Sequence, residues 1–475
     1  MKLGHGQLGR RILLSVSSAL LALSFAPTAS AQDAGGEEKK DVSASEDAAK
    51  KEEDKWFAVI NADVYPGTGG HFRDGTILAK NGKIEQIGVE VDLPEGTTVL
   101  DAGGLRVYPG LVAYASSGLF GASSSDFADT VNTFSPNLVM ALGNGITTAG
   151  QSGAALKLKR GEIEGVLMKE KATTLLNFSA QNPQGRRSLL EKFDASARYL
   201  RDYRAWEEQK KSDKDAKEPS KKDSDATIVQ VLRGDVRARF QADDREELLG
   251  VARLAQKYGF RPVIEGCREG WTVAEELGRA GAYAVVTPRD RTDKSEELVA
   301  AGGTSIENAA ILRRHGVQVA IVPSSKGVDL GGIAGRDILA LTVEAGFGVR
   351  GGLTNEAALE AITVVPARLL GVEHRVGTIE VGKDCDLLVC DGDLMHYETF
   401  VQQAVVDGKV VYEKNKELFY AHIRPNIDSV LAPETRVDKG QEGAAKPAEG
   451  EAKDKEEKKD EKGPDQGDKK DDKKD

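Results

Sequence analysis

Arg106-Val107-Tyr108-Pro109-Gly110-Leu111-Val112-Ala113-Tyr114-Ala115-Ser116-Ser117 is the seam of this chain. Ahead of it the sequence is β-like. Residues 57–60 precede a turn-rich stretch at 66–70, and 76–79 lead into Asn81-Gly82, a pair suited to a two-residue hairpin turn. Behind the seam, apolar strands alternate with amphipathic helices, the pattern of parallel βα units. Strands are predicted at 111–115, 146–149, 165–168, 236–241, 262–265, 283–287 and 317–322. Helices are predicted at 244–258, 272–280, 305–315, 337–345 and 355–369. Asp243-Asp244-Arg245-Glu246 gives the first of these an acidic start that complements the helix dipole. The count and length suit a (β/α)8 TIM-like barrel; a doubly wound sheet is the alternative on periodicity alone. The β pattern then returns. Residues 377–383 run into 386–389, and 404–412 form a hairpin around Asp407-Gly408. The fold class expected is therefore α/β, with a barrel over 109–374 and a composite β-sandwich built from both ends, 56–108 and 375–425.

The outer segments differ in composition. Lys2, Arg10 and Arg11 precede an apolar run at 12–25 and the small residues Ala29-Ser30-Ala31. This is the layout of a secretory signal peptide over 1–31, cleaved before Gln32. It implies export, to a bacterial periplasm or beyond, with no membrane span after cleavage, and no Cys follows the run to take a lipid. Three charged stretches of low complexity occur: a linker at 32–55, an insertion at about 207–225, and a tail at 426–475. Their mixed charges and few large apolar residues cannot offset the entropy of ordering, so all three are read as disordered. The net charge of −11 argues against a nucleic-acid partner, which calls for a basic face. Of three cysteines, Cys385 and Cys390 have an odd spacing on one strand, which puts them on opposite faces and prevents pairing.

Three stretches together resemble the amidohydrolase superfamily, in particular its secreted, imidazolonepropionase-like members. They are 101–111, Asn144-Gly145-Ile146-Thr147-Thr148-Ala149, and 361–371 followed by 375–387. The last is the most specific, and the resemblance covers about 57–412. It implies a metal-dependent hydrolase acting on carbon–nitrogen bonds other than peptide bonds. Zinc or another divalent ion at the strand C-termini would activate a water. In the family the first barrel strand ends in Asp-x-His-x-His; carried over, its two histidines fall on Ala115 and Ser117. A third falls on or beside Phe240, a fourth on Gly266, and the late Asp near Ser324. No two of the chain's six histidines are separated by a single residue. The resemblance therefore implies a scaffold without its metal ligands, and no cofactor is expected.

Glu265 and Lys169 are the remaining candidate catalytic groups, each at a predicted strand end. Serine chemistry lacks a Gly-x-Ser-x-Gly elbow, and Cys267 lacks a neighbouring histidine. The glycine-rich run at 330–335 lacks the Lys-Ser/Thr of a phosphate cradle. A ligand at the mouth would meet Ser116, Ser117, Arg239, Gln241, Glu265, Arg268, Ser324 and Lys326, a mixed-charge set suited to a small polar or zwitterionic molecule. Arg239 and Glu265 pairing to close the mouth is the bland alternative. The function expected is that of an exported, metal-free pseudoenzyme that binds a ligand or serves as a subunit. Its partner would be a second copy or an active amidohydrolase. An active hydrolase of amide or cyclic amide bonds with an atypical site stands as the alternative.

Overall fold

The computed structural model describes residues 54–121, 131–290, 303–329 and 335–417. The expected signal peptide, most of the expected linker, the tail and most of the glycine-rich run lie outside the described residues.

Both ends of the chain build one sheet. From the N-terminal side come β1 (Trp56–Val64), β2 (Phe72–Lys80), β3 (Lys83–Gly88), β4 (Thr98–Asp101) and β5 (Arg106–Pro109). The eight-stranded order is β17-β16-β15-β5-β1-β2-β3, with β4 on β1, where β15 is Leu387–Cys390, β16 Val401–Val406 and β17 Lys409–Glu413. β5 and β15 run antiparallel, with Val107 opposite Val389, so the seam stretch is where the two ends meet. Both expected hairpins form. Asn81 and Gly82 have φ of 51° and 81°, and Asp407 and Gly408 of 48° and 68°. Two successive positive φ values match the strand twist. The cysteines separate as their spacing requires: Cys385 sits among the sheet's own apolar residues, Cys390 against the barrel.

The middle of the chain is a TIM-barrel-like α/β body. β6 (Leu111–Ala113) and β7 (Ile146–Gln151) pair in parallel, and β10 (Thr173–Leu175), β11 (Arg237–Ala242), β12 (Val263–Gly266), β13 (Tyr283–Val286) and β14 (Gln318–Ile321) form a second parallel run. Seven parallel strands are present among the described residues, where eight were expected. Residues 165–168, expected as one of them, instead give β9 (Leu167–Lys169). It pairs antiparallel with β8 (Ala154–Lys157), itself antiparallel to β7.

The seam between β14 and β6 is filled by a helix. The expected helix at 355–369 is broken into α8 (Asn355–Ala361) and α9 (Val364–Leu370). Pro366 has no N–H to give to Ile362 four residues earlier. The Ile362 carbonyl is thereby available, and the Val112 N–H of β6 donates to it at 2.9 Å. Val364, Val365, Leu369 and Leu370 then pack with Val112, Tyr114, Val263, Tyr283, Val285 and Ala320, an apolar filling drawn from one face of several strands. Ile264, Ala284, Val286 and Ile321 belong to the larger cluster that packs with the helices.

The charged insertion begins differently from its composition. α2 (Pro183–Ser212) follows α1 (Pro136–Gly143) and continues through residues 207–212. Lys211 pairs with Glu208 one turn away, and the Trp206 indole donates to the Ala216 carbonyl at 2.8 Å. Helix-spaced opposite charges and one covering aromatic give this stretch support that composition alone does not show. No helix among the described residues is long and apolar enough to cross a membrane.

Candidate functional site

The ends of β6, β11 and β12 place Tyr114, Arg239 and Glu265 together. The pairing of β11 with β12 sets Gln241 opposite Glu265 and Arg239 opposite Val263. One oxygen, Oε1 of Glu265, accepts from the Tyr114 hydroxyl and from Nη1 of Arg239, each at 3.0 Å. Glu265 is buried, and Nε of Arg239 is buried with no hydrogen-bond partner. Burial, and after it the Glu265 charge, raises the Tyr114 hydroxyl well above its ordinary pKa. Tyr114 therefore acts here as a neutral donor. This clamp lies over the apolar filling of α9.

A second charged group adjoins the first. Arg268 meets Asp290 at 2.7 Å and Asp243 at 3.5 Å. Gly266 lies between, with φ of 91°, and a Cβ built on it would collide with the Asp243 carboxylate. Cys267 follows, wholly buried. Burial, with Asp243 adding to it, pushes its thiol up to about 12, which leaves no thiolate near neutral pH.

Of the remaining expected site residues, Ser116 is buried and donates to the Gly150 carbonyl at 3.0 Å. Ser117 is exposed, and its N–H donates to the Lys326 carbonyl at 2.9 Å. Gln241, Ser324 and Lys326 are also exposed. Lys169 is not at the mouth. Its ammonium abuts Gly371, just past α9. That helix end also carries the Arg368 carbonyl, to which Nε of Arg237, the first residue of β11, donates at 2.9 Å. Glu265 stands near the C-terminal end of its strand, so the structure does not bring Lys169 and Glu265 together.

Two features went unnoticed in the sequence. One is a cleft of about 660 Å³ beside the ends of β10 and β11, covered by the first turns of α2. The other is a buried charge network. Lys157, on β8, is fully buried, with Nζ 2.6 Å from Asp384, 2.5 Å from Asp407 and 3.2 Å from Asp386. Arg375 and Lys83 complete Asp384 at 2.7 and 3.2 Å, and Lys159 completes Asp407 at 2.7 Å. The network joins the barrel hairpin to the composite sheet.

An amidohydrolase family model matches residues 272–428. Among curated relatives, amidohydrolase tasK of Hapsidospora irregularis is 33% identical over 94 residues, covering 20% of this chain and 10% of that one. Imidazolonepropionase of Sphingopyxis alaskensis is 32% identical over 115 residues, 24% and 26% of the two chains. The chain thus spans between a tenth and about a quarter of these relatives' lengths. A solved amidohydrolase from Thermotoga maritima MSB8 is 26% identical with a TM-score of 0.57, covering 75% of this chain and 100% of that one. The chain belongs to the amidohydrolase superfamily. At the positions where the superfamily's metal ligands were expected to fall, the structure places Ala115 half-buried against the inner apolar cluster, Ser117 and Ser324 exposed, and Gly266 against Asp243. Phe240 is fully buried on the helix side, its ring 6.2 Å from that of Phe260. Among the described residues no three His, Cys, Asp or Glu side chains converge as a metal-holding group.

Proposed function

We propose that this amidohydrolase-superfamily chain is a metal-free pseudoenzyme, exported through its signal peptide, that binds a small polar ligand at the strand C-termini. The observation that carries the reading is the Gly266–Asp243 approach. A side chain of any size at 266 would need φ of 91° and the space the carboxylate occupies. Asp243 pairs with Arg268, and Arg239 and Glu265 pair within the Tyr114 clamp, so the main charges of the region are taken up in internal ion pairs. These residues do not fit a divalent metal, which calls for three or four convergent donors. The alternative of an active hydrolase using Glu265 with Lys169 is disfavoured by the placement of Lys169 beside Gly371. A subunit role beside an active amidohydrolase is compatible with the same closed mouth, but the cleft beside β10 and β11 favours ligand binding. We propose further that the composite sheet folds as a two-layered sandwich around the cluster of Val59, Ile77, Ile84, Leu387 and Val405. The functional reading is tested by assaying purified mature protein on amide and cyclic amide substrates, with and without added Zn²⁺ or Mn²⁺. Rates should stay at background in both cases. Metal-stimulated turnover would contradict the proposal.

A further inference from the structure

We propose that the cleft beside β10 and β11 binds a small zwitterion, an amino acid or dipeptide with free ends. This inference rests on the ligand-binding reading above and gives it a place and a chemistry. The cleft's volume, about 660 Å³, lies within the range of ordinary small-molecule sites. It sits to one side of the clamp, at the C-terminal ends of two parallel strands, the end at which barrels bind ligands.

Opposite charges line it. Arg186, on the second turn of α2, lays its guanidinium over the Phe178 ring at 4.4 Å. Among the described residues the guanidinium makes no hydrogen bond, only a 3.9 Å ion pair with the exposed Glu246. Its planar set of donors is therefore positioned but uncommitted, which suits a carboxylate. On the acidic side stand Asp243 and Glu247. Glu247 is fixed by the Ser179 hydroxyl at 3.2 Å and the Ala180 N–H at 3.1 Å. Asp243 reaches the cleft with its carboxylate, whose Oδ1 is buried against Gly266 with no hydrogen-bond partner, which leaves the group with unused capacity for a donor. Gln241 adds an exposed amide to the lining.

The helix beneath the guanidinium is shaped for it. α4 (Arg245–Tyr258) carries Gly250 in its interior, a residue that weakens helices. A Cβ there would collide with Nη2 of Arg186 and would lie 2.9 Å from the Phe178 ring. Gly250 thus keeps open the seat of the one uncommitted arginine of the cleft. The ligand carboxylate is assigned to Arg186 and its ammonium to Asp243 and Glu247.

The test is a thermal-shift screen of the mature protein against the twenty amino acids and their alanyl dipeptides, followed by calorimetry on any that stabilise it. At least one should bind saturably at one per chain. Acetylating its amino end or amidating its carboxyl end should each weaken binding tenfold or more. Arg186→Met and Gly250→Ala should do the same, the second by displacing the guanidinium without removing its charge. If Arg186→Met fails to fold, Gln241→Ala, at an exposed side chain, should still weaken binding severalfold. The proposal is overturned if no compound of the screen binds saturably, or if Arg186→Met and Gly250→Ala retain the parent affinity. Binding lost in Glu265→Gln but intact in the cleft variants would overturn the location and spare the broader ligand-binding reading. Metal content and hydrolysis, measured on the same preparation, report separately on the pseudoenzyme reading.

Discussion

Glu265 holds two donors with one oxygen, and both donors come from strands other than its own. A glutamine keeps the shape and loses the charge that Arg239 answers. Hydrogen bonds to charged groups are worth about 1.5–3 kcal/mol, so Glu265→Gln should lower the unfolding free energy by about that much in denaturant titration. Arg239→Met should cost at least as much, because it leaves the buried carboxylate with the Tyr114 hydroxyl alone. A stability unchanged in both would mean that the clamp is not structural. The sequence made this cluster partly legible. Arg239 and Glu265 stand near predicted strand ends, and their pairing was one of the two expectations. Tyr114 was hidden because it stands beside Ala115 and Ser117, the alternating positions on which the resemblance places its ligands. Asp243 was read as a helix-start residue. Its contact with Gly266 follows from a local backbone conformation that residue types do not announce.

At the level of elements, Phe240 marks how the β11 strand is oriented. It is fully buried on the helix side, near Phe260, which itself stacks on Phe193 at 5.4 Å. Phe240→His would put an imidazole into that aromatic cluster with no partner in place, and should destabilise by about 3–5 kcal/mol, as large core truncations do. Metal affinity should not rise, which a Zn²⁺ titration of the variant checks. The elements most legible in the sequence were those defined by local chemistry: the Asn81-Gly82 and Asp407-Gly408 hairpins, and the strands at 236–241, 262–265, 283–287 and 317–322. Failures arose where partners decide. Residues 165–168 have the composition of a buried parallel strand, yet β9 takes an antiparallel place beside β8. The short β10, Thr173–Leu175, carries two threonines and gave no apolar run to notice. The 207–212 stretch looked disordered because its support comes from helix-spaced pairs and Trp206.

Across the whole molecule, Lys157 ties the barrel to the sheet made by the chain's two ends. Its partners lie 227 to 250 residues away, which is why no local pattern revealed it. Removing one member of a buried ion group leaves the others uncompensated, so Lys157→Met should cost about 3–5 kcal/mol. The pH dependence follows from the shifts. Burial alone would raise Asp384 and Asp407, but Lys157 and its neighbours hold both below the ordinary value of 3.8. Their stabilisation is present above that value and is lost as pH falls through their folded pKa. Burial alone would lower Lys157, but Asp386, Asp407 and Asp384 raise it above 10.5. Its stabilisation is present below 10.5 and lost as pH rises through the raised value. Asp386, raised by burial despite Lys157, opposes the two other carboxylates near its own titration. The difference in melting temperature between the parent and Lys157→Met should therefore be largest from about pH 5 to 10 and shrink toward both extremes. A difference independent of pH would show that the network contributes packing rather than charge. If this superfamily barrel lacks its metal, elemental analysis of the purified protein should find zinc, iron, manganese and nickel all far below one per chain; near-stoichiometric metal that disappears in Glu265→Gln would refute a metal-free barrel.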